Sequence, residues 1–97
     1  MLNINKTIDG EKAVIALEGR LDTVTAPGLD DFLSAHLDGI TALRFDLTGL
    51  EYISSAGLRS LLSAHKKMRG AMTVCNVNEV NREIFEITGF TDILHFE

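Results

Sequence analysis

The chain carries a single cysteine, Cys75, so it can close no disulfide within itself. That fits a reducing compartment. It has no apolar run near the ~20 residues that a membrane-spanning helix needs. The start, Met1-Leu2-Asn3-Ile4-Asn5, has neither a basic region nor an apolar run, so no signal peptide is expected. Together these absences place the expected location in the cytoplasm. Basic charge is scarce, with a net charge of −5. The densest basic cluster, Lys66, Lys67 and Arg69, forms no stripe, so direct nucleic-acid binding is not expected. Low-complexity segments and internal repeats are missing as well.

At 97 residues and 45% hydrophobic content, the chain reads as one domain that buries its core unaided. Leu2, Ile4 and Ile8 alternate with polar residues up to Asp9-Gly10, and an apolar run from Lys12 to Glu18 follows. Asp-Gly between two such runs predicts a hairpin with a type I′ turn. The second run is apolar at successive positions and reads as an interior strand covered on both faces.

Thr25 is the expected N-cap of a helix with Pro27 in its first turn and Leu29, Phe32, Leu33 and Leu37 along one face. Leu43, Phe45 and Leu47 form a strand pattern. A helix opening at Ser55 carries Leu58, Leu61, Leu62, His65 and Met68 on one face. Met72–Val77 reads as another interior strand. Asn78 is the expected cap of a helix with Val80, Ile84 and Ile87, and Ile93–Phe96 closes the chain as a short strand. The order β-β-α-β-α-β-α-β predicts an α/β fold. Its mixed sheet has an antiparallel N-terminal hairpin, parallel right-handed crossovers and about three helices packed on it.

Function in such sheets gathers outside the carboxyl ends of the strands. Two loops are expected there, Gly19–Val24 and Thr48–Ser54, which puts Asp22 and Ser55 on one edge. Ser55 sits where unpaired N–H groups and the helix dipole favour negative charge, and the small Ala56 and Gly57 follow it. Spacing alone leaves two readings of Ser55, a helix cap or a phosphate acceptor.

Other chemistry finds little support. No Gly-x-Ser-x-Gly elbow surrounds Ser54 or Ser55, and His36, His65 and His95 lie outside both loops, so hydrolase chemistry is not expected. One cysteine and dispersed histidines match no metal-ligand spacing, and His65 reads as a hydrogen-bonded, half-buried side chain. Cys75 reads as a buried structural thiol with no cationic neighbour in sequence. Gly49 and Gly57 lack the spacing of a phosphate-cradling loop. Asn76, Asn78 and Asn81 are candidates for a partner surface or, for two of them, for a strand end and a helix cap.

The stretch Asp46–Leu62 resembles the signature of STAS domains, which include the bacterial anti-sigma factor antagonists. It holds Asp46-Leu47-Thr48 at a strand end and Ser54-Ser55-Ala56-Gly57-Leu58 opening a helix. Gly19-Arg20-Leu21-Asp22 resembles the family's Gly-x-Leu-Asp loop, and Gly89-Phe90 with Phe96 its C-terminal pattern. The resemblance implies a binding module, not an enzyme, and no cofactor. Ser55 would be phosphorylated by an anti-sigma factor that is also a serine kinase. The unphosphorylated form would bind that partner and free a sigma factor, and a PP2C-type, metal-dependent serine phosphatase would reset the switch. Asp22, Thr23, Ser54, Ser55, Ala56, Gly57 and Arg59 would form the partner surface, on a monomer. The family's usual aspartate before the acceptor is Ser54 here, which makes Ser54 a competing acceptor. A second role known among such domains is that of a constitutive subunit of a transport complex for lipids or anions.

Overall fold

The structure, a computed structural model, describes residues 1–97. Five strands, β1 (Leu2–Asp9), β2 (Lys12–Leu21), β3 (Ala42–Ile53), β4 (Met72–Cys75) and β5 (His95–Phe96), form one sheet in that order. β1 pairs antiparallel with β2, and every later pairing is parallel. Helices α1 (Ala26–His36), α2 (Ser55–Lys67) and α3 (Glu79–Ile87) make the crossovers. The expected mixed α/β architecture is the one observed.

The hairpin forms at the expected place with a different turn. Asp9 pairs with Lys12, so Gly10 and Glu11 are the central residues. Only Gly10 has positive φ, at +64°, which is the type II′ pattern rather than I′.

β4 is buried at Met72, Val74 and Cys75, with Val74 and Cys75 on opposite faces, but β2 is not covered on both. Ala13, Ile15, Leu17 and Leu21 of β2 are buried, whereas Val14 is exposed and Ala16 half-buried. One continuous core joins this face to Leu43, Phe45, Leu47 and Val74 of the sheet. It also takes in Leu29 and Leu33 of α1, Leu58, Leu61 and Ala64 of α2, and Phe85 of α3. The helices therefore cover one face, and the other stays open.

Strand β3 is longer than expected. Thr48–Ile53 continues the strand, and only Ser54 lies between it and α2. The pairing with β2 slips at two irregularities and resumes as Glu18↔Gly49, Gly19↔Leu50 and Leu21↔Ile53. The slip breaks the period-two pattern, so the sequence reads as a loop there. It brings the strands so close that a Cβ on Gly49 would lie 2.7 Å from Glu18 Cγ.

Two further boundaries move. β4 ends at Cys75 rather than Val77, and the closing strand is only His95–Phe96, preceded by a short 3-10 turn, Phe90–Asp92. In α3 the buried residues are Asn81 and Phe85, while Val80 and Ile87 are 57% and 77% exposed. Of the three apolar residues that marked α3, Ile84 packs against the core while Val80 and Ile87 face outward.

Candidate functional site at the carboxyl ends of β2 and β3

Parallel pairing carries β2 and β3 to a common edge, where Leu21 lies beside Ile53. The Ser54 N–H donates to the Leu21 carbonyl at 2.9 Å. Asp22 and the start of α2 are therefore side by side, as the topology predicts.

The turn after β2 is organised by Asp22. Its Oδ1 accepts from the N–H groups of Val24 at 3.0 Å and Thr25 at 3.1 Å. The Asp22 N–H donates to Thr25 Oγ1, which donates in turn to the Arg20 carbonyl. Thr25 is the N-cap position of α1 as expected, but its side chain makes no cap bond, and Asp22 instead orders the turn that leads into the helix. Asp22 is held below the usual carboxylate range, first by the Thr25 backbone N–H and further by that of Val24. Its Oδ2 lies 4.0 Å from Arg20 Nε. The Arg20 guanidinium sits 4.8 Å above the Tyr52 ring, a contact across the strand pair that the sequence did not signal.

Ser54, not Ser55, is the N-cap of α2. Its backbone is extended, and its hydroxyl accepts from the Gly57 N–H at 3.5 Å. Ser55 is the first helical residue and is exposed, whereas Ser54 is half-buried. His65, Lys66 and Lys67 in the last turn of α2 complement its dipole, while no acidic residue of the first turn offsets the positive end.

Gly57 is buried, so it presents no surface to a partner, and its role is packing. A Cβ there would lie 2.7 Å from Leu21 Cγ and 2.8 Å from Ile53 Cγ1, both in fully buried side chains. Only glycine lets α2 settle directly on the two strand ends. Thr23, Ala56 and Arg59 do come together, lining a groove of about 230 Å³ between α1 and α2, with Pro27 and Asp30 opposite. Arg59 stands one helical turn from Ser55, on the same face.

The asparagines are bound internally. Asn78 caps α3 by accepting from the Asn81 N–H at 2.8 Å. Asn81, fully buried, accepts from the Ile53 N–H at 3.0 Å and donates to the Leu50 carbonyl at 3.1 Å, clamping α3 to the end of β3. Asn76 donates to Asp46 Oδ1. Asp46 is held below the usual carboxylate range by Thr48 first and Asn76 second.

Three other residues differ from expectation. His65 is half-buried, but its Nδ1 is buried without a hydrogen-bond partner. The histidines are less dispersed than their spacing suggests, because His65 and His95 bring their ring centroids to 5.8 Å. Cys75 is buried as expected, yet it has a cationic neighbour: Arg44 Nε donates to its sulfur at 3.3 Å.

A family model for the STAS domain matches residues 3–97. A Bordetella bronchiseptica protein, named as a candidate anti-sigma factor antagonist, BtrV, is 39% identical over 90 residues, covering 89% of this chain and 77% of its own. Among solved structures, an anti-sigma factor antagonist from Mycobacterium paratuberculosis superposes with a TM-score of 0.88 at 24% identity, over 99% of this chain and 85% of that one. The antagonist SpoIIAA superposes in its unphosphorylated form (TM-score 0.73, 16% identity, 100% and 87% covered). The phosphorylated form from Bacillus superposes as closely (TM-score 0.72, 17% identity, 100% and 91% covered). The chain belongs to the STAS domain family.

Proposed function

We propose that this STAS domain is an anti-sigma factor antagonist, a binding module whose edge at Asp22 and Ser55 engages an anti-sigma factor serine kinase. Unphosphorylated, it sequesters that kinase and frees a sigma factor. Phosphorylated on Ser55, it lets the kinase go, until a PP2C-type serine phosphatase restores it. The module works as a monomer in the cytoplasm and is a substrate of both enzymes rather than an enzyme.

The observation that carries this reading is the division of labour between adjacent serines. Ser54 is half-buried and spends its hydroxyl on the Gly57 N–H, whereas Ser55 stands exposed at the first position of α2. A phosphate on Ser55 adds about −1.5 to −2 charges beside unpaired N–H groups and the positive end of the dipole. Arg59 lies one turn along the same face, and no acidic side chain of the first turn opposes the charge. The fold would accept the modification, so its effect falls on the partner surface. The equal likeness to both forms of SpoIIAA supports this, and so does the name given to the B. bronchiseptica relative. Thr23, Ala56 and Arg59 complete the surface beside Asp22.

Titration calorimetry with the purified anti-sigma factor kinase of the same cell tests the reading. Wild type and Ser55→Ala should bind, and Ser55→Asp should lose at least tenfold in affinity, about 1.4 kcal/mol. Equal binding by wild type and Ser55→Asp overturns it.

A further inference from the structure

From the outward face of α3 we infer a second contact region for the same partner, an apolar stripe with an acidic flank that fits an apolar patch rimmed by Lys or Arg. The inference rests on the proposed antagonist role and adds a surface that the Ser55 edge does not contain. Val80, Ile84 and Ile87 fall within about 60° of arc on the helix. Such a stripe ordinarily faces a core. Here Asn81 and Phe85 are buried and the half-buried Ile84 also packs against the core, leaving Val80 57% and Ile87 77% exposed. Two large apolar side chains left to solvent on either side of the half-buried Ile84 are the candidate interaction surface.

Two observations fix the kind of occupant. On the side of the stripe away from the core lie Glu79, Glu83 and Glu86, all exposed. With a net charge of −5, this flank complements a basic rim and repels an acidic one. The helix that carries the stripe is also tied to the strand end that bears the proposed site. Asn81 holds the first turn of α3 to Ile53 and Leu50, and Ile53 directly precedes Ser54. Both surfaces are therefore carried on one hydrogen-bonded frame.

The test is titration calorimetry of the same purified kinase against Val80→Gln/Ile87→Gln and Glu83→Lys/Glu86→Lys, beside wild type and Ser55→Asp. Both double variants alter exposed residues only, and circular dichroism melting checks that the fold is kept. The apolar pair should bind about tenfold more weakly. The charge pair should also bind more weakly, and its affinity should fall less steeply with added salt than that of wild type. Wild-type affinity in both double variants, with loss only in Ser55→Asp, overturns the α3 surface and leaves the antagonist role standing. No binding by wild type overturns both. If sedimentation shows a dimer that Val80→Gln/Ile87→Gln dissolves without touching kinase affinity, the stripe joins two copies and the inference is wrong.

Discussion

The Ser54 N–H donates to the Leu21 carbonyl at 2.9 Å, and that bond joins the two halves of the site. Leu21 leads directly into Asp22, and Ser54 directly into Ser55. Neither side chain can shift far without disturbing a strand end that is fully buried at Leu21 and Ile53. A small domain thereby presents a carboxylate and a hydroxyl in a fixed relation from two distant parts of its sequence.

Gly57 is where this arrangement is most sensitive to volume. An added methyl would press on Leu21 and Ile53 at under 3 Å, and neither has free space to move into. Gly57→Ala should cost about 1–3 kcal/mol through overpacking, despite the better helix propensity of alanine. Urea unfolding measures it, and an unchanged or raised midpoint would contradict the packing role.

Asn81 holds the other side of the same strand end. Asn81→Leu would leave the Ile53 N–H without a partner, while the Leu50 carbonyl keeps its bond from Asn78. A loss of about 1–3 kcal/mol is expected from the unsatisfied buried N–H. Hydrogen exchange at the Ile53 amide should accelerate relative to Phe45 in the sheet centre, and equal protection of the two amides would contradict the clamp.

Ser54 and Ser55 should separate cleanly on mutation. Ser54→Ala removes a long capping bond and should cost about 0.5–1 kcal/mol of stability. Ser55→Ala removes no cap and should stay within about 0.5 kcal/mol of wild type, as exposed substitutions do. Thermal melts of the two variants decide the matter, and the reverse order would make Ser55 the cap.

Acid should loosen the edge through Asp22 and the open sheet face through Asp46. Both carboxylates sit below their ordinary range when folded. Their contribution is therefore complete above the unfolded value of about 3.9 and fades as pH falls through the lower folded values. Carboxyl chemical shifts followed by NMR should show both residues titrating below the unfolded aspartate value of about 3.9. Titration of Asp22 at or above that value would contradict the hydrogen bonds that hold its carboxylate.

Much of this was legible in the sequence because it rests on local rules. Asp9-Gly10 marked the hairpin, the Leu29 and Leu33 spacing marked α1, and Asn78 marked the start of α3. What escaped depends on contacts remote in sequence. The slip between β2 and β3 hid the continuation of β3, because Thr48-Gly49 has turn composition and only pairing with Glu18 keeps it extended. Helical spacing found a stripe on α3 but could not say that Phe85, not Val80 and Ile87, would meet the core. The cap of α1 fell on Thr25 as expected, whereas that of α2 moved by one residue to Ser54, because adjacent hydroxyls near a helix start compete for the same N–H groups. Within the site, Asp22 and Ser55 were foreseen on one edge, while Arg20 over Tyr52 and the clamp at Asn81 needed the fold.

The central claim is that Ser55 is the switch. The most direct measurement is peptide mass spectrometry of the protein purified from its native host under growth and stress conditions. A condition-dependent phosphate localised to Ser55 is the expected result. Complete coverage of the Ser54–Ser55 peptide with no phosphate under any condition, or with phosphate confined to Ser54, would contradict it and favour a constitutive subunit.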